Sequence, residues 1–96
     1  MIVTPEKYTV NVNEDFSVVV TTIDENEIEK PVENVAVSIL NSLNKEDTDS
    51  NGRVWLTAPE SSGSFKIQAQ KDGVYTIGQA SIKVNDIVHW LSLIHI

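Results

Sequence analysis

Apolar and polar residues alternate along most of this chain with a period of two, the mark of strands that bury one face. Residues 7–12 place Tyr8, Val10 and Val12 on one parity and Thr9 and Asn11 on the other. The run 16–23 carries Val18, Val19 and Val20 at its centre, with Thr21 and Thr22 after it. β-Branched residues at this density disfavour a helix. Apolar side chains on both parities predict a central strand covered on both faces. In the run 35–40, Val35, Val37 and Ile39 share a parity. The run 53–57 points Val54 and Leu56 inward. The run 64–70 is the cleanest strand, with Phe65, Ile67 and Ala69 against Lys66, Gln68 and Gln70. The run 74–84 changes parity between Tyr75/Ile77 and Ala80/Ile82/Val84, which predicts a bulge or bend between them that Gly78 is placed to supply.

The connections carry turn chemistry. Residues 24–31 read as a long solvated connection, and residues 41–52 as a polar stretch with a short edge strand near 45–49. Asn51-Gly52 is suited to positive φ and marks a hairpin. About seven short strands with regular turn signals, and no helix before residue 85, predict an all-β sandwich. Residues 1–86 form the module, its strands running from about Tyr8 to Val84.

Residues 87–96 stand apart as an apolar tail, open to a short helix or an extra strand. The segment 91–96 resembles a translated sequencing-adapter remnant, so the tail is read as non-native and without function, the alternative being a native linker or the start of a next segment.

Charge changes the picture of partners. The chain has 96 residues, no cysteine and a net charge of −7. That balance argues against a nucleic-acid partner, because a phosphate backbone needs a basic patch. The absence of cysteine removes disulfides and thiolate metal sites. No apolar run reaches the ~20 residues that span a bilayer. Residues 1–40 hold eight acids and two bases, whereas residues 41–96 hold six acids and five bases. The acidity therefore belongs to the first half, where 24–33 reads as a solvated surface.

Three segments resemble prokaryotic Ig-like surface modules, including the carboxypeptidase regulatory-like (prealbumin-like) domains and bacterial Ig-like repeats. The first is Lys30-Pro31-Val32-Glu33-Asn34-Val35-Ala36-Val37-Ser38-Ile39, similar to x-P-V-x-x-A-x-V-x-I. The second is Thr48-Asp49-Ser50-Asn51-Gly52-Arg53-Val54-Trp55-Leu56, similar to T-D-x-N-G-x-x-x-L. The third is residues 63–73, similar to G-x-Y-x-I-x-A-x-K-x-G-Y, although Val74 separates Gly73 from Tyr75. A turn glycine usual in these modules is missing from residues 24–30. The resemblance implies an Ig-like Greek-key β-sandwich of about seven strands. It also implies a structural or spacer role in a larger cell-surface or secreted protein, beside neighbouring modules of the same polypeptide.

Candidate chemistry is sparse. Asp47, Asp49 and Asn51, with Gly52, match the start of a D-x-D-x-N-G calcium loop. Ala58 stands where a bidentate Glu is needed and the flanks are strands, so the expected reading is a structural turn with calcium as the alternative and no other cofactor. The two histidines, His89 and His95, both fall in the tail, which leaves no native Ser/His/Asp set and predicts no enzyme. A Lys7–Asn85 isopeptide bond lacks the buried acid such bonds require. Trp55 is the one candidate ligand contact. Exposed, it would stack on carbohydrate or a surface protein beside the loops 41–50 and 60–63; the expected alternative is that it covers the sheet or lies under a loop.

Overall fold

The computed structural model describes residues 1–40, 45–71 and 77–86. Among them are nine strands: β1 (Ile2–Pro5), β2 (Thr9–Asn11), β3 (Asp15–Ile23), β4 (Glu29–Pro31), β5 (Ala36–Ile39), β6 (Lys45–Asp47), β7 (Arg53–Thr57), β8 (Gly63–Gln70) and β9 (Gly78–Asn85). They form two sheets. The first contains β1, β3, β4 and β7; the second has the order β2-β9-β8-β5-β6.

β3 is the spine of the first sheet. It pairs antiparallel with β1 through Val18–Thr21, with β7 through Asp15–Val19 and with β4 through Thr21–Ile23. Val18 and Val19 face both β1 and β7, and Thr21 faces both β1 and β4, so β4 and β7 share the edge opposite β1. The predicted central position holds. The second sheet is antiparallel except at β2, which runs parallel to β9 through Thr9↔Lys83, Val10↔Val84 and Asn11↔Asn85. The chain thus begins in one sheet and crosses to the other within its first eleven residues.

The core lies between the sheets. Phe16, Val18 and Val20 from β3 meet Val37, Ile39, Ile67 and Ala69 from the other layer, all fully buried. Val54, Leu56, Ile82 and Val84 complete the alternating inner rows. At about 25 cal/mol per Å² of apolar surface removed from water, these rows supply the main driving force for folding.

The structure corrects several expectations. Among the described residues there are nine strands, where about seven are expected. β1 precedes the expected start near Tyr8 and puts Val3 into the core. Tyr8 lies outside its strand and is exposed, with only Val10 of its parity fully buried. Residues 24–31 are no open connection, because β4 folds back on β3 as a hairpin. Gly78 is no bulge: β8 and β9 pair without a slip from Gly63↔Val84 to Ala69↔Gly78. Glycine is needed there because β1 crosses close by, and a Cβ would sit 2.5 Å from the Met1 carbonyl oxygen. Ile77 is exposed, and Tyr75 lies outside the described residues.

Two turns are built the same way. In the first, the Asp24 carboxylate accepts the Asn26 N–H (2.8 Å) and the Ile28 N–H (3.0 Å), while Glu27 N–H donates to the Asp24 carbonyl. In the second, the Asp49 carboxylate accepts the Asn51 N–H (2.8 Å) and the Arg53 N–H (3.0 Å), while Gly52 N–H donates to the Asp49 carbonyl. Both place the fourth residue in the left-handed region, Glu27 at φ 62° and Gly52 at φ 72°. Of Asn51 and Gly52, only Gly52 takes the expected positive φ, and the turn closes no hairpin, because it carries the chain from β6 in one sheet to β7 in the other. The glycine missing from residues 24–30 is therefore replaced by Glu27 in a conformation that favours glycine.

Thr48 ties the chain between β4 and β5 to the segment that leads into β7. Its hydroxyl accepts the Val35 N–H (2.9 Å) and donates to the Val32 carbonyl (2.7 Å), fully buried. Its backbone adds bonds to Asn34 and Val35. A β-branched residue with a hydroxyl is the side chain that can fill this apolar site and still satisfy both groups.

Candidate functional site

Trp55 projects from the middle of β7 on the outward face of the first sheet. Strand alternation sends Val54 and Leu56 into the core and leaves Arg53, Trp55 and Thr57 on the solvent side. The indole is 58% exposed. Directly opposite lies Ser17, which is only 1% exposed although it faces outward. The Glu6 carboxylate accepts the Ser17 N–H at 2.8 Å.

The surroundings are polar. Arg53 pairs with Val19 in one neighbouring row. In the other, the Thr57 hydroxyl donates to the Asp15 carboxylate at 2.6 Å. The other exposed large apolar residues of this face, Ile2 and Ile23, lie toward the far end of β3, so among the described residues no continuous apolar patch forms around Trp55. A flat ring edged by an arginine, a hydroxyl and a carboxylate can stack on a sugar or a planar group and bond its substituents. The loops expected beside it are not gathered there. β6, within 41–50, belongs to the other sheet, and residues 41–44 lie outside the described residues. The segment 60–63 lies past the end of β7.

The calcium candidates serve the turn. Both Asp49 bonds are made by one carboxylate oxygen to backbone N–H groups, and Asn51 supplies one of those donors. Asp47 lies on β6, with its Cα opposite Ala36. Among the described residues no cluster of three or more His, Asp or Glu is arranged to hold a metal ion. His89 and His95 lie outside the described residues. Lys7 donates to the Glu14 carboxylate at 3.3 Å in solvent, away from the buried setting an isopeptide bond requires.

Asp24 holds the acidic hairpin together. Its carboxyl sits below its ordinary value near 3.8, first because of the Ile28 N–H and then because of Lys30, whose ammonium lies 3.1 Å away. Glu29 accepts the Thr21 hydroxyl at 2.9 Å. The first-half acidity thus organises a β-hairpin instead of lining a loop.

The geometry also fixes the poles of the sandwich. Met1 touches the start of β9 at Gly78, whereas Asp86 follows its end. The eight residues of β9 separate these points by roughly 23 Å at the usual rise of about 3.3 Å per residue. Among the described residues no helix is long and apolar enough to cross a membrane.

Two face-to-face sheets, a spine strand shared by three partners, and a first strand divided between both sheets define an Ig-like Greek-key β-sandwich. The chain belongs to the BatD DUF11-like domain family, whose model matches residues 3–89. The fold is shared with a solved chain described as the D0-D1 domain of Intimin, at a TM-score of 0.56 and 21% identity, over 85% of this chain and 45% of that one. This chain therefore spans less than half of that structure's length. No curated protein matches. The resemblance to prokaryotic Ig-like modules is thereby narrowed to one family.

Proposed function

We propose that this chain is a non-enzymatic spacer module that transmits force along a longer exported protein at the bacterial surface. The observation that carries this reading is the placement of Met1 and Asp86 at opposite poles. A chain that enters at one pole and leaves at the other can be strung end to end. The match to under half of a chain named for two domains fits one unit of such a string. The parallel β2–β9 pair also suits the role. Pulling residue 1 away from residue 86 slides β2 along β9, so its hydrogen bonds are loaded together instead of unzipping in turn. The Val12 N–H to Asn85 carbonyl bond (2.9 Å) and the Lys83 N–H to Tyr8 carbonyl bond (2.8 Å) bracket this clamp. Unfolding forces in a tandem of these modules, pulled through its ends, test the proposal. Val12→Pro removes one clamp donor and should lower the peak force. An unchanged force would refute the clamp.

The exposure of Trp55 favours a second reading, an accessory module that binds carbohydrate or a surface protein through the first sheet. Glycan-array binding that Trp55→Ala abolishes, with an unchanged melting temperature, would support it. Array binding that survives Trp55→Ala would reject it.

A further inference from the structure

The second sheet carries an unassigned site on its outward face, opposite in character to the Trp55 face. Strand register builds a trough there. Along β5, the outward residues are the small Ala36 and Ser38. Ser38 is flanked by Gln68 on β8 and Lys45 on β6, and Ala36 by Gln70 and Asp47. Two short side chains between longer ones leave an open depression of about 560 Å³, closed at one end by Asn34 and Lys71. This volume lies within the roughly 300–1,000 Å³ typical of ligand sites.

The charge of this face is inverted relative to the molecule. The chain has seven Lys and Arg against fourteen Asp and Glu. Yet three of the lysines, Lys45, Lys66 and Lys83, stand on outward positions of this sheet, and Lys71 follows the last residue of β8. Among the described residues Asp47 is the carboxylate on the outward strand positions, and the exposed Glu46 stands between it and Lys45 on β6. Apart from Ala36, the remaining lining is carboxamide and hydroxyl. Gln79 Nε2 donates to Gln68 Oε1 at 3.2 Å, which extends the amide row onto β9. Lys71 Nζ donates to the Glu33 carbonyl at 2.6 Å, which holds that ammonium at the trough's end.

The geometry points to this trough as a binding site for an acidic polysaccharide. Lys45 and Lys71 in the trough, with Lys66 and Lys83 on the same face beside it, meet carboxylates spaced along a polymer. Glutamine, serine and asparagine side chains offer the paired donors and acceptors that sugar hydroxyls need. A protein partner fits less well, because protein interfaces centre on desolvated apolar anchors, and the apolar side chain in this lining is Ala36. This site is independent of the spacer proposal and of Trp55.

The whole chain, immobilised through residue 1, would be titrated with polygalacturonate, neutral dextran and poly-glutamate at low and high salt. Saturable binding to polygalacturonate that weakens with salt is expected, with none to dextran. Lys45→Gln with Lys71→Gln should raise Kd about tenfold or more, as two charge-assisted contacts are lost. Ala36→Leu should also block binding by filling the floor without altering charge. Trp55→Ala should bind as the parent does. Circular dichroism melts confirm that each variant is folded. Absence of polygalacturonate binding, equal binding to poly-glutamate, or loss of binding in Trp55→Ala alone would overturn the site.

Discussion

The two Asp-led turns predict opposite effects for opposite substitutions, glycine removed from one and introduced into the other. Gly52 and Glu27 occupy equivalent positions, both at positive φ. Gly52→Ala meets two penalties. A left-handed non-glycine residue costs roughly 1–2 kcal/mol. The new Cβ would also lie 2.5 Å from the Val20 carbonyl oxygen, 3.0 Å from Pro31 Cβ and 3.1 Å from the Val32 nitrogen. These are backbone and ring atoms with little freedom to move. The Val20 carbonyl already accepts the Val32 N–H, and the Gly52 carbonyl accepts the Val20 N–H at 2.7 Å. Relieving the overlap therefore loosens the junction of β3, β4 and β7, at a further cost of about 1–3 kcal/mol. The expected loss is about 2–5 kcal/mol, a large share of the ~5–15 kcal/mol of a typical domain. Glu27→Gly relieves strain of roughly 1–2 kcal/mol and adds unfolded-state entropy worth about 0.5–1 kcal/mol. It should stabilise by about 0.5–1 kcal/mol. Urea unfolding at constant m reads both changes, and the gain should raise the melting temperature by roughly 2–8 °C. A Gly52→Ala loss below about 0.5 kcal/mol, or a Glu27→Gly change that destabilises, would refute the shared turn geometry.

Further outcomes follow from the packing and the charges. Thr48→Val keeps the shape but strands the Val35 N–H and the Val32 carbonyl, so a loss of about 2–4 kcal/mol is expected in urea unfolding. Ile67→Ala, in the centre of the core, should cost about 2–5 kcal/mol, and the half-buried Phe65→Ala should cost less. Because the Asp24 carboxyl is lowered in the folded state, its contribution is present above the unfolded value near 3.8 and is lost as pH falls through the folded value. Asp24→Asn should therefore flatten stability against pH in the acid range below about pH 5, as followed by thermal melts across pH 2–7.

Much of the fold was legible because period-two alternation reports burial directly. β5, β7 and β8 lie where their rows of Val37/Ile39, Val54/Leu56 and Ile67/Ala69 place them. The short strands β1 and β4 were not legible. Ile2–Pro5 gives too few residues to show a period, and β4 carries no buried side chain, so hydropathy is silent on it. Thr48 was visible as the first residue of its motif, but its role depends on Val32 and Val35, up to sixteen residues away. The exposure of Trp55 was undecided because parity fixes which face a side chain leaves by and does not say what covers that face.

The sequence by itself determined the class, most of the inner rows, the Asp49 turn and the family resemblance, because these depend on neighbours in the chain. Only the tertiary structure decided what Gly78 is for, since the crossing of β1 makes that glycine necessary. It alone placed residues 1 and 86 at opposite poles, by laying Met1 against the start of β9, whose far end leads to Asp86. It alone drew lysines scattered from 45 to 83 onto one face, since strand order and register, not spacing along the chain, bring distant charges together.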